Sequence, residues 1–193
     1  MKKMITLVNL LVLATLVFTA CGGQQSPTAV PMEMETSQAP AATSEVVSEP
    51  GAWLDMTLTD ARSGTSFKLS DFSETVVILE MMDPGCFQCK YQVKEIVAAL
   101  EAVGDKAIVV SIDVGRKGES AQVKWADENG AVWSLAQMTD EIAQALVADF
   151  GSQILASFST PVIIIDPSGE PHVTDPGIKK SATLVDLVNQ WSP

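Results

Sequence analysis

Two cysteines stand three residues apart in "LEMMDPGCFQCKYQVKEI", as Cys86 and Cys89. A Cys-x-x-Cys pair has three common uses. It can form half of a zinc site, close a small structural loop, or cycle between dithiol and disulfide. A structural staple is poorly served here, because closing so short a loop removes little chain entropy. The redox use needs a thiolate. Cys86 falls at the expected start of a helix, where unpaired N–H groups and the macrodipole favour one. Residues i and i+3 share a helix face, so Cys89 lies within reach.

The flanking elements must hold that pair. "ETVVILEMM" is a continuous apolar run of strand length, the pattern of a strand buried on both faces. After Cys86 the period changes. Val93, Ile96, Val97 and Leu100 fall on one helical face, and Gly104 is a stop signal. "AIVVSIDV" and "PVIIID" predict two more buried strands, "AVWSLA" a short extended piece, and "PHVT" an edge strand. Residues 119–129 predict a polar surface helix carrying Trp125. "TDEIAQALVADFG" predicts a helix capped by Thr139 and ended by Gly151. "SATLVDLVNQW" closes the chain as a helix with Leu184, Leu187, Val188 and Trp191 on one face. Ahead of all this, "WLDMTLTDARSGTSFKLSDF" predicts a hairpin turning at "ARSG". The β-α-β order calls for parallel strands with helical crossovers, and the last hairpin adds antiparallel ones. The expected class is α/β, a mixed sheet flanked by helices with an N-terminal β-hairpin extension.

The amino terminus bears on compartment. "MKKMITLVNLLVLATLVFTAC" has two lysines, an apolar run too short to span a bilayer, and small residues before Cys21. That layout is a secretory signal over residues 1–20, and "FTAC" resembles a bacterial lipobox. The resemblance implies a lipid on Cys21 and a membrane anchor. Residues 21–50, rich in Pro, Ser, Thr, Ala, Gln and Glu, then predict a flexible tether reaching roughly 30 Å. The folded domain is expected over residues 51–193. Outside the cytoplasm a disulfide persists. With Cys21 lipidated, the three cysteines leave one pair. There is no fourth cysteine and His172 is the only histidine, so a complete soft-ligand zinc site cannot be built and no metal is expected. A net charge of −12 argues against nucleic acid, whose phosphates need a basic face.

A buried strand leading to Cys-x-x-Cys at a helix start resembles the thioredoxin fold. Glu80, six residues before Cys86, matches the buried acid of that fold. "STPVIIID" is similar to the segment whose cis-proline faces the disulfide, with Pro161 in that place. "FKLSDF" and "IIIDPSG" are similar to the membrane-anchored, TlpA-like branch. The resemblance spans about residues 53–191. It departs at Gly85, where Trp is usual, at Phe87-Gln88, which lacks a proline, and at Gln92, where many relatives carry an acid.

The resemblance implies a thiol-disulfide oxidoreductase needing no cofactor beyond the Cys86–Cys89 disulfide. Cys86 would attack a partner's disulfide and Cys89 would release the reduced partner. Glu80 would carry the proton of Cys89. Thr160 would offer backbone groups to an extended substrate, with Pro161, Phe87 and Gln88 shaping the groove. The expected partners are protein thiols or disulfides outside the cytoplasm and a membrane-bound electron donor, with the protein acting as a reductant. Three alternatives stay open. A copper chaperone needs a histidine near Pro161. A peroxiredoxin-like peroxidase needs Thr or Ser where Asp83 stands, and an arginine nearby. A non-enzymatic binding lipoprotein could keep the fold alone.

Overall fold

The computed structural model describes residues 49–193. The expected signal segment, Cys21 and most of the tether lie outside the described residues.

A short 3-10 turn at Ala52–Asp55 leads to β1 (Leu58–Thr59) and β2 (Ser66–Phe67), which pair antiparallel as their own small sheet. Then follow β3 (Val76–Met82), α1 (Cys89–Val103), β4 (Ala107–Asp113), α2 (Glu119–Asn129), β5 (Ser134–Gln137) and α3 (Asp140–Phe150). The chain closes with β6 (Val162–Ile165), β7 (Pro171–Val173) and α4 (Ser181–Trp191). The main sheet has the order β5-β4-β3-β6-β7. β3, β4 and β5 run parallel, while β6 and β7 join antiparallel on the other side of β3.

β3 is the middle strand, which explains its sequence. No residue from Val76 to Met82 exceeds 1% exposure. A strand covered on both faces gains nothing from alternating polarity, so it reads as an unbroken apolar run. Each fully buried aliphatic side chain there stabilises the fold by about 1.5–3 kcal/mol. Its side chains divide by parity. Val76, Ile78 and Met82 point to a core shared with Cys89, Val93 and Ile96 of α1, and with Leu184 and Val188 of α4. Val77, Leu79 and Met81 point to the opposite core with Ile142 and Leu146 of α3 and with Trp53. Glu80 has the parity of the first set, so the lone acid of the strand lies on the face covered by the Cys-x-x-Cys helix.

Local signals end the helices as expected. The Thr139 hydroxyl accepts the Ile142 N–H at 3.2 Å, and Gly104 and Gly151 follow α1 and α3. One expectation needs correcting. α2 is polar outside, but Trp125 is not a surface residue: it is 2% exposed and packs with Ala126 in the α1 core. Among the described residues, no helix is long and apolar enough to cross a membrane.

Candidate active site

β3 ends at Met82, and a tight turn follows. The Asp83 carboxylate accepts the Gly85 N–H at 2.7 Å, and the Asp83 carbonyl accepts the Cys86 N–H at 2.9 Å. This turn delivers Cys86 half-buried, leaves Phe87 and Gln88 exposed, and starts α1 at Cys89, which is 1% exposed. Cys86 and Cys89 are joined in a disulfide. Cys86 therefore does not open the helix as expected; it precedes it by three residues. The helix still reaches it, because the Cys89 N–H points at Cys86 Sγ at 3.2 Å. A thiolate at Cys86 would accept that first helical N–H. Both sulfurs also face the Ser157 carbonyl, at 3.6 Å from Cys86 and 3.5 Å from Cys89.

Glu80 is 1% exposed. It pairs in register with Ser111 of β4 and Val162 of β6. Its Oε2 accepts the Ser111 hydroxyl at 2.7 Å, and Ser111 Oγ in turn accepts the Trp133 indole N–H at 2.9 Å. Its Oε1 has no hydrogen-bond partner among the described residues. Burial pushes its pKa up to about 7, against the opposing pull of the Ser111 hydroxyl and the Lys179 charge. A group held there can take or give a proton at neutral pH.

The segment before β6 faces the disulfide through Ser157. Pro161 is buried, and its carbonyl accepts the Met81 N–H at 3.1 Å. Thr160 corrects an expectation. Its N–H already donates to the Ser157 carbonyl at 2.8 Å, and its carbonyl accepts Lys179 Nζ at 2.5 Å. Neither backbone group is free for a substrate strand in this form. Thr160 also sits at φ 46°, in the left-handed region. For a β-branched residue that costs on the order of 1–3 kcal/mol, so its surroundings must hold it there.

Two residues that hold it were not singled out from the sequence as part of the site. Lys179, just ahead of α4, is only 7% exposed. Gln92, noted only as a departure from an acid, is fully buried in α1 and brackets Lys179: its Oε1 accepts the Lys179 N–H at 2.7 Å, and its Nε2 donates to the Lys179 carbonyl at 3.2 Å.

The remaining candidates lie apart from this network. Phe87 and Tyr91 are exposed and meet edge to face at 5.1 Å between centroids. Lys94 sits over the Tyr91 ring, and Lys90 is exposed. Arg62 pairs with Asp127 and Arg116 with Asp140. His172 stacks on Trp191 and meets Asp166 Oδ2 at 3.0 Å. The Asp166 carboxylate also closes the turn through Ser168 and Glu170, and its pKa is drawn down to about 2: burial raises it, but the hydrogen bonds from Ser168, His172 and Glu170 outweigh that.

No family model matches the chain, and no curated relative does. Solved structures do. A DsbF homologue from Corynebacterium diphtheriae superposes with a TM-score of 0.59 at 18% identity, covering 79% of this chain and 96% of that one. The thioredoxin domain of a Bacteroides vulgatus thiol-disulfide oxidoreductase gives 0.58 at 18% identity, covering 76% and 99%. A secreted Mycobacterium tuberculosis disulfide oxidoreductase homologous to E. coli DsbE gives 0.58 at 14% identity, covering 71% and 96%. At these identities the likeness establishes architecture: the chain has a thioredoxin-like α/β fold.

Proposed function

We propose that the protein is a thiol-disulfide oxidoreductase working through the Cys86–Cys89 couple. The observation that carries this reading is the asymmetry of the pair over a buried acid. One sulfur is half-exposed and faces a helical N–H, the other is buried, and Glu80 titrates near neutrality on the same face. The neighbours' descriptions as disulfide oxidoreductases agree with it.

In the reducing direction, Cys86 thiolate attacks one sulfur of a partner disulfide. A mixed disulfide forms and one partner thiolate leaves. Glu80 then accepts the Cys89 proton through its open Oε1 oxygen. The Cys89 thiolate attacks Cys86 Sγ, the second partner thiolate leaves, and the Cys86–Cys89 disulfide reforms. Two electrons pass to the partner. An external dithiol donor must restore the reduced pair, and the oxidising direction runs the same steps backwards.

The setting is part of the proposal. The N-terminal sequence supports export, a lipid on Cys21 and a tether over residues 21–50, which would place the domain outside the cytoplasm beside a membrane-bound donor. Turnover of insulin disulfides tests the reading. Wild type should reduce insulin in the presence of a thiol donor, and Cys86→Ser should be inactive; equal rates would refute the reading. The reduction potential sets direction. A value near roughly −270 mV fits the proposed reductant, and one near roughly −120 mV fits an oxidant.

A further inference from the structure

Lys179 is a buried cation in a place where the exchange steps need none. Its Nζ donates to three carbonyls, those of Thr160 at 2.5 Å, Gly177 at 2.7 Å and Asp175 at 3.0 Å. An ammonium has three N–H donors, and all three are used. The neutral amine has two, and would turn its lone pair onto a carbonyl oxygen. The geometry therefore belongs to the charged form. Gln92, on α1 one turn along from Cys89, fixes the Lys179 backbone on both sides through its amide, so the Lys179 side chain sets out from a fixed point.

Two parts of the site meet at this ammonium. One is Thr160, whose strained backbone carries the chain from Ser157, against the disulfide, to Pro161 beside β3. The other is Glu80, whose register partner Val162 lies two residues after Thr160, so the strand pairing brings the carboxylate toward the ammonium, and each charge favours the other. A buried charge is tolerated where hydrogen bonds satisfy it, and all three donors of the Lys179 ammonium are satisfied.

We propose that Lys179 is a positioning residue of the active site: its ammonium pins the Thr160 carbonyl, holding the Ser157–Pro161 segment on the disulfide, and its charge reaches the Glu80 carboxylate. The use of that carboxylate in proton transfer rests on the redox reading, but the coupling itself is a property of the folded chain. The charged groups around the ammonium are Asp175 on its own loop and Glu80 on β3. Glu95 of α1 is engaged instead by Lys180 Nζ at 3.0 Å and the Ser181 N–H at 2.8 Å. Burial draws the Lys179 pKa down to about 8, with Asp175 and then Glu80 opposing, so both partners titrate in an accessible range.

The test is a reciprocal titration by NMR in the oxidised full chain, with no substrate present. In Lys179→Met, the Glu80 carboxyl carbon should titrate at higher pH by roughly 0.5–1 unit. In Glu80→Gln, the Lys179 ammonium should titrate at lower pH by the same amount, since coupling is reciprocal. An unchanged midpoint in either variant overturns the electrostatic half. If Lys179→Met does not fold, the Glu80→Gln arm decides alone, because glutamine keeps the shape and still accepts from Ser111. For the positioning half, amide exchange at Thr160 should rise about tenfold or more in Lys179→Met while that of Ile112 stays put. Unchanged exchange at Thr160 overturns it. Neither readout involves turnover, so loss of insulin reduction with coupling intact would count against the redox reading and not against this one.

Discussion

Two carboxylates are buried on neighbouring strands, Glu80 within β3 and Asp113 at the end of β4, and burial raises the pKa of both. They differ in how their oxygens are used. Asp113 Oδ1 accepts the Gly115 N–H at 2.9 Å and Oδ2 accepts the Lys117 N–H at 2.7 Å. Both oxygens close the loop after β4, where Gly115 also leaves room for the Asp83 carboxylate that a Cβ would overlap. Glu80 has one oxygen on Ser111 and one open. A satisfied buried carboxylate is a structural part. A half-satisfied one is poised to take a proton, and the fold is less stable for it.

The comparison can be broken by substitution. The largest effect is expected from Glu80→Ala, which should slow resolution of the mixed disulfide by about 100-fold or more. Stopped-flow release of a fluorescent thiol partner measures it, and wild-type kinetics would remove Glu80 from the mechanism. Next comes stability, where the same amide substitution should act with opposite signs at the two sites. Glu80 has a raised folded pKa, so the folded state holds its proton longer than the unfolded state and stability falls as pH rises from 4.5 to about 7. Glu80→Gln should therefore match wild type in urea near pH 4 and exceed it by up to roughly 3 kcal/mol at pH 8. A variant less stable than wild type at pH 8 would contradict this. Asp113→Asn should instead lose about 1–3 kcal/mol, because an amide cannot accept both backbone N–H groups. It should leave Cys86 thiolate reactivity unchanged within about threefold. The smallest effect concerns recognition: Phe87→Ala removes an exposed edge-to-face pair and should raise the KM for insulin by about threefold. Its rate with a small aromatic disulfide should hold steady; an equal loss on both substrates would deny Phe87 a role in docking.

Much of this site was legible because its residues break local patterns. An acid inside "VVILEMM" is expensive unless it is used, and a cysteine pair at a strand-to-helix junction has few other purposes. The buried strands declared themselves by unbroken β-branched runs, and α3 by its cap and terminal glycine. What stayed hidden depends on contacts distant in sequence. Lys179 and Lys180 are adjacent and alike as letters, yet one is buried and one exposed, set by Gln92 and Glu95 on α1 and by the carbonyls around the Lys179 ammonium. The faint signal was a lysine pair ahead of a helix start, where the macrodipole disfavours cations. Trp125 was misplaced because its helix is polar around it, and a single aromatic leaves no periodic trace. Thr160 was expected to serve a substrate through its backbone, but Lys179 and Ser157 already occupy those groups.

The central claim is that Cys86, and not Cys89, is the nucleophile of a working couple. The rate of alkylation of the reduced protein by iodoacetamide, followed against pH and mapped by mass spectrometry, tests it most directly. Modification should fall on Cys86 alone, with a midpoint well below the free-thiol value of about 8.5. A midpoint near about 8.5, or equal labelling of Cys89, would contradict the account.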